Sequence, residues 1–143
     1  MIIKLHNFKC YVSEEFQIPD EGIVLISAPS GSGKSTILEG IIFALFGTGR
    51  KLQSWGKKSC KVELFFENLE ITRTKVPNRL FIKYEGKEYE DDAAQHIINN
   101  LFGENFQTTS YINNHNLYKS FILLSPTDKL LFLEKFAFQE KLI

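Results

Sequence analysis

Nine residues, Ala28-Pro29-Ser30-Gly31-Ser32-Gly33-Lys34-Ser35-Thr36, constrain this chain more than any other stretch. They lie between Ile23-Val24-Leu25-Ile26-Ser27, which reads as a buried strand, and Ile37 to Phe46, which reads as a buried helix. A strand, a glycine-rich turn and a helix in that order make a phosphate cradle. Backbone N–H groups from Gly31 to Thr36 can converge on one anion at the positive end of the helix dipole. Ser30, Gly31, Ser32, Gly33, Lys34, Ser35 and Thr36 are therefore the candidate nucleotide-binding residues. Lys34 is placed to reach the β- and γ-phosphates, and the Ser35 hydroxyl to ligate Mg²⁺. One position departs from the pattern G-x-x-x-x-G-K-[ST]: its first glycine is Ala28 here. If that position requires φ > 0, the extra Cβ costs about 1–2 kcal/mol. Micromolar nucleotide binding is worth about 8 kcal/mol, so the substitution weakens the loop without abolishing it.

The rest of the composition removes several function classes. At 143 residues the chain is long enough for a real core. Lys plus Arg and Asp plus Glu both number 17, and zero net charge argues against a chain whose main work is gripping nucleic-acid phosphates. Lys57, Lys58 and Lys61 form one short basic cluster, which reads as a solvated loop. Cys10 and Cys60 have no metal or redox spacing, and His6, His96 and His115 have no ligand spacing. No apolar run has the length of a membrane span, and no leader peptide is legible at the start. The expectation is an intracellular protein of the cytoplasm and nucleoid, or of the nucleus, with free thiols and no membrane contact.

Along the chain, Ile2 to Phe8 alternates as a strand does, with Glu15 to Ile18 as its hairpin partner and Pro19-Asp20-Glu21-Gly22 as a turn. Gly47 is placed to cap the helix that follows the loop. Cys60 to Glu67, Leu69 to Val76 and Arg79 to Tyr84 read as an antiparallel meander, extended past Gly86 by Lys87 to Glu90. Asp91-Asp92 opens a helix with an apolar stripe of Ala93, Ile97, Ile98 and Leu101, ended by Gly103. Thr108 to Asn114 reads as extended and Asn116 to Leu124 as helical. Ser125-Pro126-Thr127-Asp128 is a helix start with an N-cap serine, proline at the first helical position and an acid three after the cap. Leu130, Leu133 and Ala137 share one face of that helix, with Leu131 and Phe138 near another. Two strands precede the loop and a meander follows its helix. This order predicts an α/β fold with a mixed sheet around the loop helix, not a doubly wound parallel sheet.

With these elements in place, the chain resembles the N-terminal half of the ATPase head of the SMC-like family, closest to the SbcC-type double-strand-break repair ATPases. Ile3-Lys4-Leu5-His6-Asn7-Phe8-Lys9 matches the family's opening I-x-L-x-N-F-[RK] strand, with the Walker A loop following. Trp55 to Phe66 matches its loop and strand, and Leu69-Glu70-Ile71-Thr72-Arg73 its I-x-R strand. Ser110-Tyr111-Ile112-Asn113-Asn114 falls where its Q-loop begins. Phe121 to Pro126, with Leu130 to Phe136, is similar to its run into a coiled coil. The resemblance implies a P-loop NTPase of ABC-ATPase type that uses ATP and Mg²⁺. It implies a lobe over residues 1–105 and a Q-loop and helical segment over 106–143 leading to a coiled coil. By carry-over, Lys9 lies where the family often has an arginine near the nucleotide. Asn114 lies where it has the Q-loop glutamine that touches the metal.

No apolar strand ending in Asp-Glu is present in these residues, nor an L-S-G-G-type signature, so no catalytic residue is assigned. In the family both lie in the C-terminal half of the head. The resemblance therefore implies that this chain holds a nucleotide weakly and does not turn it over by itself. Its implied partners are that C-terminal half, a second head with which it dimerises around ATP, a nuclease subunit, and DNA in the assembled complex. Two other readings stay open. Guanylate kinases carry a similar loop with alanine at its first position, although the strands ahead of the loop do not fit. A non-catalytic truncated remnant is the third reading.

Overall fold

The computed structural model describes residues 1–103, 105–111 and 120–138. The chain divides into two compact units, Met1–Leu101 and Phe102–Ile143.

In the first unit, β1 (Ile2–Phe8) and β2 (Tyr11–Gln17) form a hairpin, with Lys9 and Cys10 at the turn. Helix α1 (Lys34–Phe46) follows the glycine-rich loop. Then come β3 (Cys60–Phe65), β4 (Leu69–Lys75), β5 (Arg79–Tyr84), β6 (Lys87–Glu90) and helix α2 (Asp91–Phe102). The strands form one six-stranded sheet in the order β2-β1-β3-β4-β5-β6, with every neighbouring pair antiparallel.

The register explains the core. Leu5 faces Val62, Val62 faces Arg73, and Arg73 faces Leu80, while Ile3, Leu64, Ile71 and Ile82 form the next row. Alternate residues point to one face, so these rows lie on a single side of the sheet, with Ile3, Leu5, Val62, Leu64, Ile71 and Ile82 fully buried. Ile37, Ile42, Phe43, Ala44 and Leu45 of α1, and Ala94 and Ile98 of α2, are buried with them. Helix α1 approaches β1 closely at Gly40, where a Cβ would lie 2.7 Å from Leu5 Cδ2. Gly47 caps α1 as expected, its N–H donating to the Phe43 carbonyl at 2.8 Å.

The fold is α/β with the expected meander, but two expectations within it fail together. Residues 23–27 are not a strand and are not buried; Ile23 is fully exposed and Leu25 is 87% exposed. A strand exists only through a neighbour's backbone groups. Both edges of β1 are already taken, by β2 and β3, and among the described residues no strand pairs with 23–27. The sheet is accordingly antiparallel throughout rather than mixed. The α2 stripe also differs. Ala94 and Ile98 point inward, whereas Ala93 is exposed and Leu101 is 45% exposed. Ile98 is buried as expected, and Gln95 beside Ala94 donates from its Nε2 to the Leu45 carbonyl at 3.0 Å.

In the second unit, α3 (Phe106–Thr109) replaces the extended segment expected from Thr108. The Thr108 and Thr109 N–H groups both donate to the Asn105 carbonyl at 3.0 Å, and Phe106 packs edge-on against Phe102 at 6.0 Å. These local bonds override the extended preference of two β-branched residues. Residues 112–119, with the first four positions of the helix expected over Asn116 to Leu124, lie outside the described residues. Phe121–Leu123 is a single 3₁₀ turn. Helix α4 (Pro126–Phe138) begins as expected, the Asp128 N–H donating to Ser125 Oγ at 3.2 Å. None of its residues is buried.

Candidate functional site

The glycine-rich loop closes on itself before α1 begins. The Ser32 N–H and Oγ both donate to the Pro29 carbonyl, at 3.2 and 2.5 Å. Gly31 and Gly33 are left-handed, with φ of 79° and 93°. Gly33 is the N-cap of α1, and no side chain caps the first N–H groups of that helix among the described residues. The first turn of α1 thus offers backbone donors at the positive end of its dipole. Ala28 is not among the positive-φ residues, so the strain expected at that position does not arise. A Cβ is compatible with the backbone there.

Lys34 folds back over the loop. Its Nζ donates to the carbonyls of Ala28 and Pro29, the latter at 3.0 Å. Two carbonyl oxygens thus hold the ammonium over the turn, within the loop that would wrap an anion. Ser35 is exposed and Thr36 is buried at the base of the helix. Of the seven loop candidates, Ser30 to Ser32 and Ser35 lie at the surface, and all seven are contiguous across one turn and one helix end. Asn114 lies outside the described residues. Among the described residues, no three His, Cys, Asp or Glu side chains converge to hold a metal.

The turn of the β1–β2 hairpin reaches this loop. Lys9 has φ of 49°, and its N–H donates to the Leu52 carbonyl at 2.7 Å. Its Nζ is bonded to the Glu39 carboxylate on α1, and burial holds the ammonium below its ordinary pKa. Tyr11 Oη lies 3.2 Å from the Gly33 carbonyl and 3.4 Å from that of Ser32. The Tyr11 ring packs edge-on against Phe16 at 5.4 Å. Ser54 ties the same strand down, its Oγ donating to the Tyr11 carbonyl at 3.2 Å and its N–H to the Asn7 carbonyl at 2.8 Å. A Cβ on Gly33 would lie 2.7 Å from both Cys10 Sγ and Tyr11 Oη, so only glycine admits this approach. Tyr11, Cys10 and Glu39 carry no recognisable motif. Only the hairpin register and the packing of α1 bring them to the loop.

The far end of α1 is held separately. Arg73 occupies an inward position on β4, and its Nε and Nη2 donate to the carbonyls of Ala44 and Leu45 at 2.9 and 3.2 Å. Nη2 also donates to Gln95 Oε1 at 2.5 Å, and Gln95 Nε2 donates to Asn99 Oδ1 at 2.9 Å. Burial pushes the Arg73 pKa down to about 10, partly offset by the charge of Asp91, which leaves it a cation at neutral pH. A cation on the last carbonyls of a helix is the favourable pairing with its dipole. Arg73 thus completes the helix whose other end forms the loop. It also lines a cavity of about 490 Å³ with Asn78, Arg79 and Asp91.

With the geometry established, comparison with known proteins identifies the chain's relatives. The model of a family described as "AAA domain" matches residues 3–142. An uncharacterized protein of Invertebrate iridescent virus 6 is 45% identical over 140 residues, which is 95% of this chain and 12% of that protein. The DNA double-strand break repair Rad50 ATPase of Methanocaldococcus jannaschii is 35% identical over 144 residues, 90% of this chain and 14% of that protein. The chain therefore spans about an eighth of the length of these two relatives. A chain solved in work on ATP-driven dimerization and DNA-stimulated activation of SMC ATPases superposes with a TM-score of 0.60 at 21% identity. The match covers 94% of this chain and 97% of that one, and establishes a common fold. This chain belongs to the family described as "AAA domain", and is similar to a Rad50 ATPase in sequence and to a chain from work on SMC ATPases in fold.

Proposed function

We propose that the chain is the ATP-binding half of an SMC- and Rad50-like head, with the C-terminal half of that head supplied by another segment. One observation carries this reading. Two left-handed glycines lead directly into an α-helix whose first N–H groups no side chain caps among the described residues, with Lys34 bent over the same turn. Ser30 to Thr36 hold the triphosphate. Lys34 exchanges the Ala28 and Pro29 carbonyls for phosphate oxygens, a stronger, charge-assisted partner. The Ser35 hydroxyl would be the residue that holds Mg²⁺. When bound, the metal neutralises charge that develops on the phosphate oxygens. Lys9, whose ammonium pairs with Glu39 of α1, lies beside the nucleotide.

The exposed apolar segment 23–27 supports the second part of the reading. It offers unpaired backbone and Ile23 and Leu25 side chains directly ahead of the loop, the form of a strand that pairs with a neighbour supplied from elsewhere. The residue that activates water comes with the C-terminal half of the head, and a second head closes over the nucleotide. The assembled complex acts on DNA in double-strand-break repair or chromosome maintenance, with a nuclease as a further partner and Asn114 as a metal contact. The Rad50 relative supports the double-strand-break repair part of this reading. An antiparallel sheet gives the nucleotide-kinase reading no support.

The test is nucleotide binding and turnover by the 143-residue chain. We expect ATP to bind, Lys34→Ala to weaken binding by about a hundredfold or more, and no hydrolysis above background. Turnover abolished by Lys34→Ala would sink the half-site reading, and equal binding by both proteins would sink the loop assignment.

A further inference from the structure

We propose that the Tyr11 hydroxyl presets the phosphate loop, making Tyr11 a positioning residue for the triphosphate. This rests on the phosphate loop being the nucleotide site. Tyr11 Oη lies 3.2 Å from the Gly33 carbonyl oxygen and 3.4 Å from that of Ser32, the arrangement of one hydroxyl hydrogen shared between two acceptors. A peptide unit is planar and trans, so its C=O and N–H point in opposite directions. The Ser32 carbonyl shares its peptide plane with the Gly33 N–H, and the Gly33 carbonyl with the Lys34 N–H. A hydroxyl that holds both carbonyls on the hairpin side turns both N–H groups to the opposite side. Those are two successive donors of the anion nest.

The approach is built rather than incidental. Gly33 has no Cβ to keep the hydroxyl away, since one would lie 2.7 Å from it. The Tyr11 ring is braced by Phe16 and its carbonyl by Ser54. Burial raises the phenol pKa, so the group stays a donor throughout the neutral range. Without this contact, left-handed glycines are free to rotate their peptide planes, and the loop must be ordered by the ligand itself. Preorganisation appears as affinity for the phosphate chain, whatever base is attached.

The test is Tyr11→Phe in the full-length protein, which keeps the ring and removes the oxygen. Affinities for ATP, GTP and inorganic tripolyphosphate are measured alongside amide exchange at Gly33 and Lys34. We expect all three ligands to weaken together by about three- to tenfold, faster exchange at both amides, and an unchanged melting temperature without ligand. Unchanged affinities overturn the proposal. So does a loss confined to ATP, which would place the ring against the base, or a loss matched by a fall in melting temperature. If the unmutated protein binds none of the three, the phosphate-loop reading itself has failed, and the proposal falls with it.

Discussion

The sheet with its two helices and the segment 23–27 both carry large apolar side chains, yet they end in opposite states. Leu64 on β3 is completely buried, while Leu25 is 87% exposed. Hydrophobicity does not separate them, because both sit in short apolar runs. They differ in whether a neighbour exists. Leu64 stands between Ile3 and Ile71 on paired strands, whereas Leu25 has no paired strand beside it among the described residues. Helix α4 repeats the pattern, with a correct cap at Ser125 and Leu130, Leu133 and Phe136 all at least half exposed. Local signals form an element, and only a partner surface buries it.

Substitutions can break this contrast. Leu64→Ala should cost the most, about 2–5 kcal/mol from lost burial and a residual cavity, measured by urea unfolding. Arg73→Met comes next. It leaves the Ala44 and Leu45 carbonyls without their guanidinium, and a lost charged hydrogen-bond partner is worth about 1.5–3 kcal/mol. Thermal melting with and without ATP should show the loss in both conditions. Leu25→Asp should change the stability of the 143-residue chain by less than about 0.5 kcal/mol, while lowering self-association and hydrophobic-dye binding. A large destabilisation by Leu25→Asp would mean that 23–27 is buried in solution after all, and the contrast would disappear.

Much of the fold was legible because its signals are local. The meander follows from alternation broken at Asn68, Pro77-Asn78 and Gly86, and the α4 start from Ser125-Pro126. The glycine-rich loop is legible because the phosphate-cradle pattern it follows demands fixed residue types at fixed spacing. The contacts around it are not. Tyr11 reaches Gly33 across 22 residues and Lys9 reaches Glu39 across 30, distances that only the hairpin register and the packing of α1 bridge. Arg73 belonged to a recognisable strand, but its place among inward-facing residues depends on pairing with Val62 and Leu80. Ile23 to Ser27 misled for the complementary reason. The run describes a strand's preference, and nothing within it records whether a neighbour is present.

Helix α1 is fastened near its start by Glu39 to the β1–β2 turn, and at its end by Arg73 to β4. A rod attached at two separated points to one plate cannot slide along its own axis without tearing an attachment. A load on the start of α1 is therefore shared with the sheet through both attachments.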